Sequence, residues 1–115
     1  MNAGKLAMDD FIVIGQGYDG RPIRVGDIST IEVDGNSLTV RSNGAEPCET
    51  YGSLARCKER LPATFFAVGR NCIVNLAAVA KVNMATRTFV LTMKDGMVVA
   101  VSRKQSLALR RGFAL

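Results

Sequence analysis

Arg70 and Asn71 interrupt the apolar stretch from Phe65 to Leu76 near its middle. The flanks, Phe65–Val68 and Ile73–Val74, suit a core strand, where an arginine without a partner is costly to bury. The least costly arrangement turns the backbone at Gly69 and sends Arg70 and Asn71 out of the molecule. A forked guanidinium matches the O6 and N7 edge of guanine, and an amide matches the N6 and N7 edge of adenine. Carried outward on a turn, these residues have the chemistry of base recognition.

A second candidate is Arg103-Lys104-Gln105, which follows Ser102. These residues fall in the first turn of a predicted helix, where the macrodipole disfavours cations. Free backbone N–H groups beside two cations make an anion site suited to phosphate. Taken alone, the feature has a plainer explanation: both cations splay into solvent.

Other chemistry is poorly supplied. Histidine is absent, which removes histidine general bases, Ser-His-Asp and Cys-His nucleophiles, and histidine metal sites together. No cofactor is expected. Asp9-Asp10, Asp34, Glu46 and Glu49 could in principle act as acid–base pairs, but turn and surface roles explain them. Cys48, Cys57 and Cys72 are odd in number, irregularly spaced and without a C-x-x-C pair. That pattern suits reduced thiols, read here as small buried hydrophobes. Gly15-Gln16-Gly17-Tyr18-Asp19-Gly20 spells G-x-G-x-x-G after an apolar strand. A dinucleotide site needs a helix next, whereas Arg21-Pro22-Ile23-Arg24-Val25 has no helical period. The glycines are expected to form a flexible inter-strand loop.

The elements that must hold these residues are mostly β. Phe11–Ile14, Ile28–Val33, Leu38–Val40, Thr88–Met93 and Met97–Val101 read as strands. Asp34-Gly35, Asn43-Gly44 and Asp95-Gly96 mark hairpin turns, expected to be type I′ with positive φ at both central residues. Two helices are predicted. The first spans Ser53–Leu61, with Ser53 as N-cap, Leu54, Cys57 and Leu61 on one face, and Pro62 as the stop. The second spans Arg103–Phe113 with Ser102 as cap. Arg56, Lys58 and Arg60 read as a solvated helix surface. Residues 1–10 read as a loose tail and residues 11–115 as one domain.

With 48 % hydrophobic and 22 % charged residues the chain is globular. No apolar run nears 18 residues and residues 1–10 lack a signal-peptide core, so no membrane insertion and a cytoplasmic location are expected. The net charge of +5 is unevenly spread. Residues 1–50 carry four Lys and Arg against eight Asp and Glu, while residues 51–115 carry eleven against two. A half with net charge +9 suits a polyanion partner, and solvated charge kept for solubility accounts for it equally well.

Several short motifs occur in order: Ile31-Glu32-Val33-Asp34-Gly35-Asn36; Tyr51-Gly52-Ser53-Leu54 leading to Leu61-Pro62; Phe65 to Asn75; Thr92-Met93-Lys94-Asp95-Gly96; and Val101-Ser102-Arg103-Lys104. From about Ile23 to Leu109 the chain resembles the LytTR-type DNA-binding domain, the output module of many bacterial response regulators of two-component systems. The resemblance implies an elongated arrangement of antiparallel β-sheets with two short helices. It implies double-stranded DNA read by inter-strand loops set in successive major grooves, at direct repeats in promoters, by two protomers. Carried over by position, Asn36 lies in the first reading loop, Gly69, Arg70 and Asn71 in the central loop, and Arg103 in the C-terminal loop. Lys104 and Gln105 would lie against backbone or groove. Arg70 and Arg103 suit guanine, Asn36 adenine or phosphate, and Asn71 phosphate.

Two positions depart from the family pattern. Gly69 stands where histidine is common, removing a potential base reader, and Cys72 stands where an aromatic often precedes Ile-Val-Asn. No receiver module precedes the matched region, which implies a stand-alone regulator or a piece of a longer chain. The expectation is a non-enzymatic, sequence-specific transcriptional regulator. Its rivals are a LytTR-like module that binds a regulatory protein with little base preference, and a small nucleotide-binding enzyme built on the glycine loop.

Overall fold

Antiparallel pairing organises the chain into three sheets in the computed structural model, which describes residues 4–16 and 19–112. The first sheet is a hairpin of β1 (Phe11–Gln16) and β2 (Asp19–Arg24). The second contains β3 (Ile28–Asp34), β4 (Ser37–Ser42), β5 (Cys48–Tyr51), β6 (Phe65–Ala67) and β7 (Cys72–Asn75), in the order β5-β4-β3-β7-β6. The third contains β8 (Val79–Asn83), β9 (Val90–Met93) and β10 (Val98–Ala100), in the order β10-β9-β8. Helix α1 (Leu54–Arg60) follows β5, and α2 (Arg103–Gly112) follows β10. The shape is elongated, 45 × 33 × 26 Å. A mostly β, elongated fold with two short helices is therefore as expected.

Two cores lie on opposite faces of the five-stranded sheet. Ile28, Ile31, Leu38, Val40, Phe65 and Ile73 belong to one, and Val68, Val74, Phe89, Leu91, Val99 and Leu109 to the other. Strand β7 shows the reason for its sequence. Successive side chains point to opposite faces, so Ile73 enters the first core and Val74 the second. A strand covered on both faces reads as a continuous apolar run rather than an alternating one. Asn75 is fully buried at its end, and its amide donates to the Ile28 carbonyl at 2.9 Å while its oxygen accepts from Ala77 N at 3.0 Å. Its polar atoms are thus matched inside the fold.

Local chemistry sets the connections. In the β3–β4 hairpin Asp34 pairs with Ser37, so the two-residue turn is Gly35-Asn36. Gly35 has φ +62 and no residue other than glycine has positive φ among the described residues. Positive φ at the first central position alone is the pattern of a II′ turn, not the expected I′. The β9–β10 loop is longer: Gly96 N–H donates to Met93 O and Met93 N–H to Met97 O, with Gly96 at φ +90. Ser53 caps α1 as expected, accepting from Arg56 N, and Leu54, Cys57 and Leu61 pack on the first core. Ser102 caps α2, accepting from Gln105 N. The buried residues of α2 are Ser106 and Leu109, and Leu107 is 53 % exposed. Phe113, the last residue of the expected helix, lies outside the described residues.

Two expectations are corrected. The outer residues of the glycine run lie in paired strands rather than in a loop: Gly15 pairs with Gly20 and Gln16 with Asp19. A Cβ on Gly15 would lie 2.0 Å from the Asp19 carbonyl oxygen, so the strands can approach this closely only at glycine. Gly17 and Tyr18 lie outside the described residues. A single 3₁₀ turn at Val25–Asp27 follows β2, so no α-helix N-terminus faces these glycines and the dinucleotide reading lacks its phosphate cradle. Residues 4–10 are also held in place rather than loose. Leu6 N–H donates to Arg60 O, Val25 and Gly26 N–H to Asp10 O and Met8 O, and Leu6 and Met8 pack on the first core.

Candidate nucleic-acid interface

Three segments distant in sequence meet at one end of the second and third sheets. Strand β3 runs out to the Gly35-Asn36 turn, and beside it β7 begins after the loop 68–71, because Glu32 pairs with Cys72. Val33 N–H donates to Asn71 O at 2.9 Å, tying the first segment to the second. Ser102 N–H donates to Val68 O at 2.8 Å, tying the start of α2 to the same loop. Each bond joins residues more than 30 positions apart. Local sequence pattern says nothing of either.

The central loop is anchored from within. Val68 N–H donates to Cys72 O at 3.0 Å, and the Val68 side chain is buried in the second core. With those ends fixed, Arg70 and Asn71 are exposed, as their interruption of the apolar run predicts. A concavity of about 340 Å³ lies between the loop and the end of β10, lined by Gly69, Arg70, Asn71, Cys72 and Ser102 among others. Gly69 is half-buried, lacks a positive φ, and a Cβ there would meet nothing within 4 Å. The turn therefore does not need glycine. Its effect is to leave an open place in the loop surface where a side chain would fit.

The other candidates divide. Asn36 is exposed at the tip of the first turn, and its carbonyl accepts from Gly52 N at 3.2 Å. Arg103 and Lys104 are exposed in the first turn of α2, and Gln105 is half-buried with its N–H bound to the Ser102 cap. Asn36, the 69–71 loop and Arg103 are thus brought to one edge. Among the described residues no hydrogen bond ties Lys104 to the central loop. Ser102, read in the sequence only as a cap, also carries the backbone bond that docks α2 on that loop.

The charges at this edge are Arg70, Arg103 and Lys104, with the exposed carboxylate of Asp34 beside the Gly35-Asn36 turn. Among the described residues, the three ion pairs join Arg24 to Asp9 and Asp27, and Arg41 to Glu32. All lie within residues 1–50. Among the described residues, Arg70, Arg103 and Lys104 carry no carboxylate partner. The 3.1 Å Arg41–Glu32 pair offsets the one acidic side chain paired across the sheet with the loop's base at Cys72. Burial pushes the Cys72 thiol up to about 12, with Glu32 adding to the shift and Arg41 opposing it. The protonated thiol is neither a nucleophile nor a metal ligand at neutral pH. Lys58, grouped with Arg56 and Arg60 as solvated surface, instead donates to Phe65 O at 2.6 Å, and burial followed by Lys5 lowers its pKa.

Among the described residues no group of three Cys, Asp or Glu side chains could hold a metal ion, and no helix is long and apolar enough to cross a membrane. A family model described as the LytTr DNA-binding domain matches residues 20–113. A solved structure, the LytTr DNA-binding domain of a Bacillus cereus protein described as a methyl-accepting/DNA response regulator, superposes with a TM-score of 0.81. The match covers 91 % of this chain and 97 % of that one at 20 % sequence identity. No curated protein matches the chain in sequence comparison.

Proposed function

Because the chain belongs to the LytTr DNA-binding domain family, we propose that it is a sequence-specific transcriptional regulator that binds double-stranded DNA. The observation that carries this reading is the joining of Asn36, Arg70, Asn71 and Arg103 at one edge by the Val33–Asn71 and Val68–Ser102 bonds. Exposed cations without carboxylate partners at that edge support it further.

Recognition divides between positioning and reading. Arg70 and Arg103 enter the major groove and donate in pairs to guanine O6 and N7. Asn36 contacts adenine or a phosphate, Asn71 a phosphate, and Lys104 and Gln105 lie against the backbone. The loops are short and anchored in a core at their bases, so little ordering entropy is lost on binding. Two protomers occupy direct repeats, the duplex bends between successive major grooves, and the protein acts in the cytoplasm as a response-regulator output without catalysing a reaction.

Selection from a random duplex pool tests this. Enrichment of a repeated motif, with binding that weakens steeply as salt rises, is the expected result. Salt-sensitive binding without enrichment, or no binding, would sink the regulator reading. It would favour instead a module that docks a regulatory protein, to which the vacant surface at Gly69 lends support.

A further inference from the structure

The flank of α2 carries a second positive feature. Arg103, Leu107 and Arg110 recur at helical spacing on one face of α2. With Arg87, from the connection between β8 and β9, they line a concavity of about 290 Å³. The connection is fixed to the helix: Phe89 N–H donates to Ser106 Oγ at 3.0 Å, and Phe89 O accepts from Val101 N at 2.9 Å. Phe89 is fully buried, and the Arg110 guanidinium lies 5.2 Å from its ring centre, which orients the cation.

Three arginines thus line one concavity, and among the described residues no carboxylate side chain lines it with them. The acidic side chains of residues 51–115 are Glu59 and Asp95, and neither lines this concavity. Like charges held together repel, and a bound anion offsets that repulsion. A solvated surface would let the three side chains spread. Arg110 is instead seated on a ring, and Arg103 belongs equally to the edge that carries Arg70. Exposed Leu107 offers an apolar surface suited to the face of a deoxyribose.

We propose that Arg87 and Arg110 form a phosphate clamp on the DNA backbone, continuing the interface from Arg103 along α2. This rests on the DNA-binding reading above. The clamp sets register and orientation and reads no base. Each phosphate contact contributes about 0.9 to the slope of log K against log salt.

The experiment measures binding of Arg87→Ala and Arg110→Gln to the selected duplex and to random duplex across a salt series. The expected result is about a fivefold loss on both duplexes, a slope lower by about 1, and an unchanged base preference. Arg87 is exposed, so its variant keeps the fold even if Arg110→Gln disturbs Phe89. If wild type selects a motif while Arg87→Ala keeps affinity and slope, the clamp is wrong and the DNA reading stands. If wild type binds no DNA, both fall. A thermal shift with inorganic pyrophosphate completes the test. Stabilisation abolished by Arg87→Ala with no change in the DNA salt slope would assign the site to a free polyphosphate and overturn the clamp.

Discussion

Asn71 and Asn75 stand at the two ends of β7 and have opposite fates. Asn75 is fully buried, and both ends of its amide are bound to backbone. Asn71 is exposed; among the described residues its side chain has no partner and only its carbonyl is used, by Val33 N–H. The same residue type therefore closes a core at one end of a strand and faces outward at the other. A polar residue in an apolar run is structural when the fold satisfies it. It is available for recognition when the fold anchors its neighbours and leaves it unmatched.

The largest effect expected from this contrast is on stability. Asn75→Ala leaves the Ile28 carbonyl and Ala77 N–H without their partner and should cost about 2–3 kcal/mol. Urea unfolding with an unchanged m-value would measure it. A cost under about 1 kcal/mol would mean that the buried amide contributes little, and the contrast would weaken.

Substitutions at the outward end should do the reverse. Arg70→Ala and Arg103→Ala should each lose about 1–3 kcal/mol of affinity for a selected duplex and relax preference at one base pair. Their unfolding free energies should stay within about 0.5 kcal/mol of wild type, since both side chains are exposed. Loss of stability together with affinity would show that these arginines help to build the edge rather than read from it.

Much of this was legible in the sequence, and what was missed has a physical pattern. Turn and cap signals are local, so Gly35, Gly96, Ser53, Ser102 and Pro62 marked boundaries close to where they occur. The I′ assignment failed because Asp-Gly marks a turn without fixing its centre, which the Asp34–Ser37 pairing moved by one residue. The glycine run was misread because close packing of Gly15 against Asp19 is a contact between strands, not a composition. Candidate readers Arg70 and Arg103 were visible as polar breaks and as a resemblance. The bonds that unite them, Val33 to Asn71 and Ser102 to Val68, join segments that no local pattern connects. Arg87 had no signal of its own, because its role depends on Phe89 being fastened to α2.

A smaller effect should come from filling the vacancy in the loop. Gly69 needs no positive φ and a side chain there meets open space, so Gly69→His should change stability by less than about 0.5 kcal/mol. On a selected duplex it should alter preference at one position and change affinity by at most about 1 kcal/mol. No change in preference would place Gly69 off the DNA, and the reading surface would narrow to Arg70 and Asn71.

The smallest effect at neutral pH belongs to Cys72, which sits on the boundary between the two ends. Its thiol, pushed up to about 12 chiefly by burial, favours the protonated form in the fold. In the unfolded chain it ionises near 9.0, so its contribution is complete below that pH and is lost as pH rises toward 12. Cys72→Ala should therefore match wild type in DNA binding at pH 7, yet lose stability less steeply between pH 9 and 10.5. Mass-mapped alkylation should find Cys72 slow in the folded protein at pH 8 and fast in urea. Rapid labelling of the folded form would mean that solvent reaches the base of the loop. Asn71 would then owe its exposure to a mobile segment, and the sharp division between the two ends of β7 would be lost.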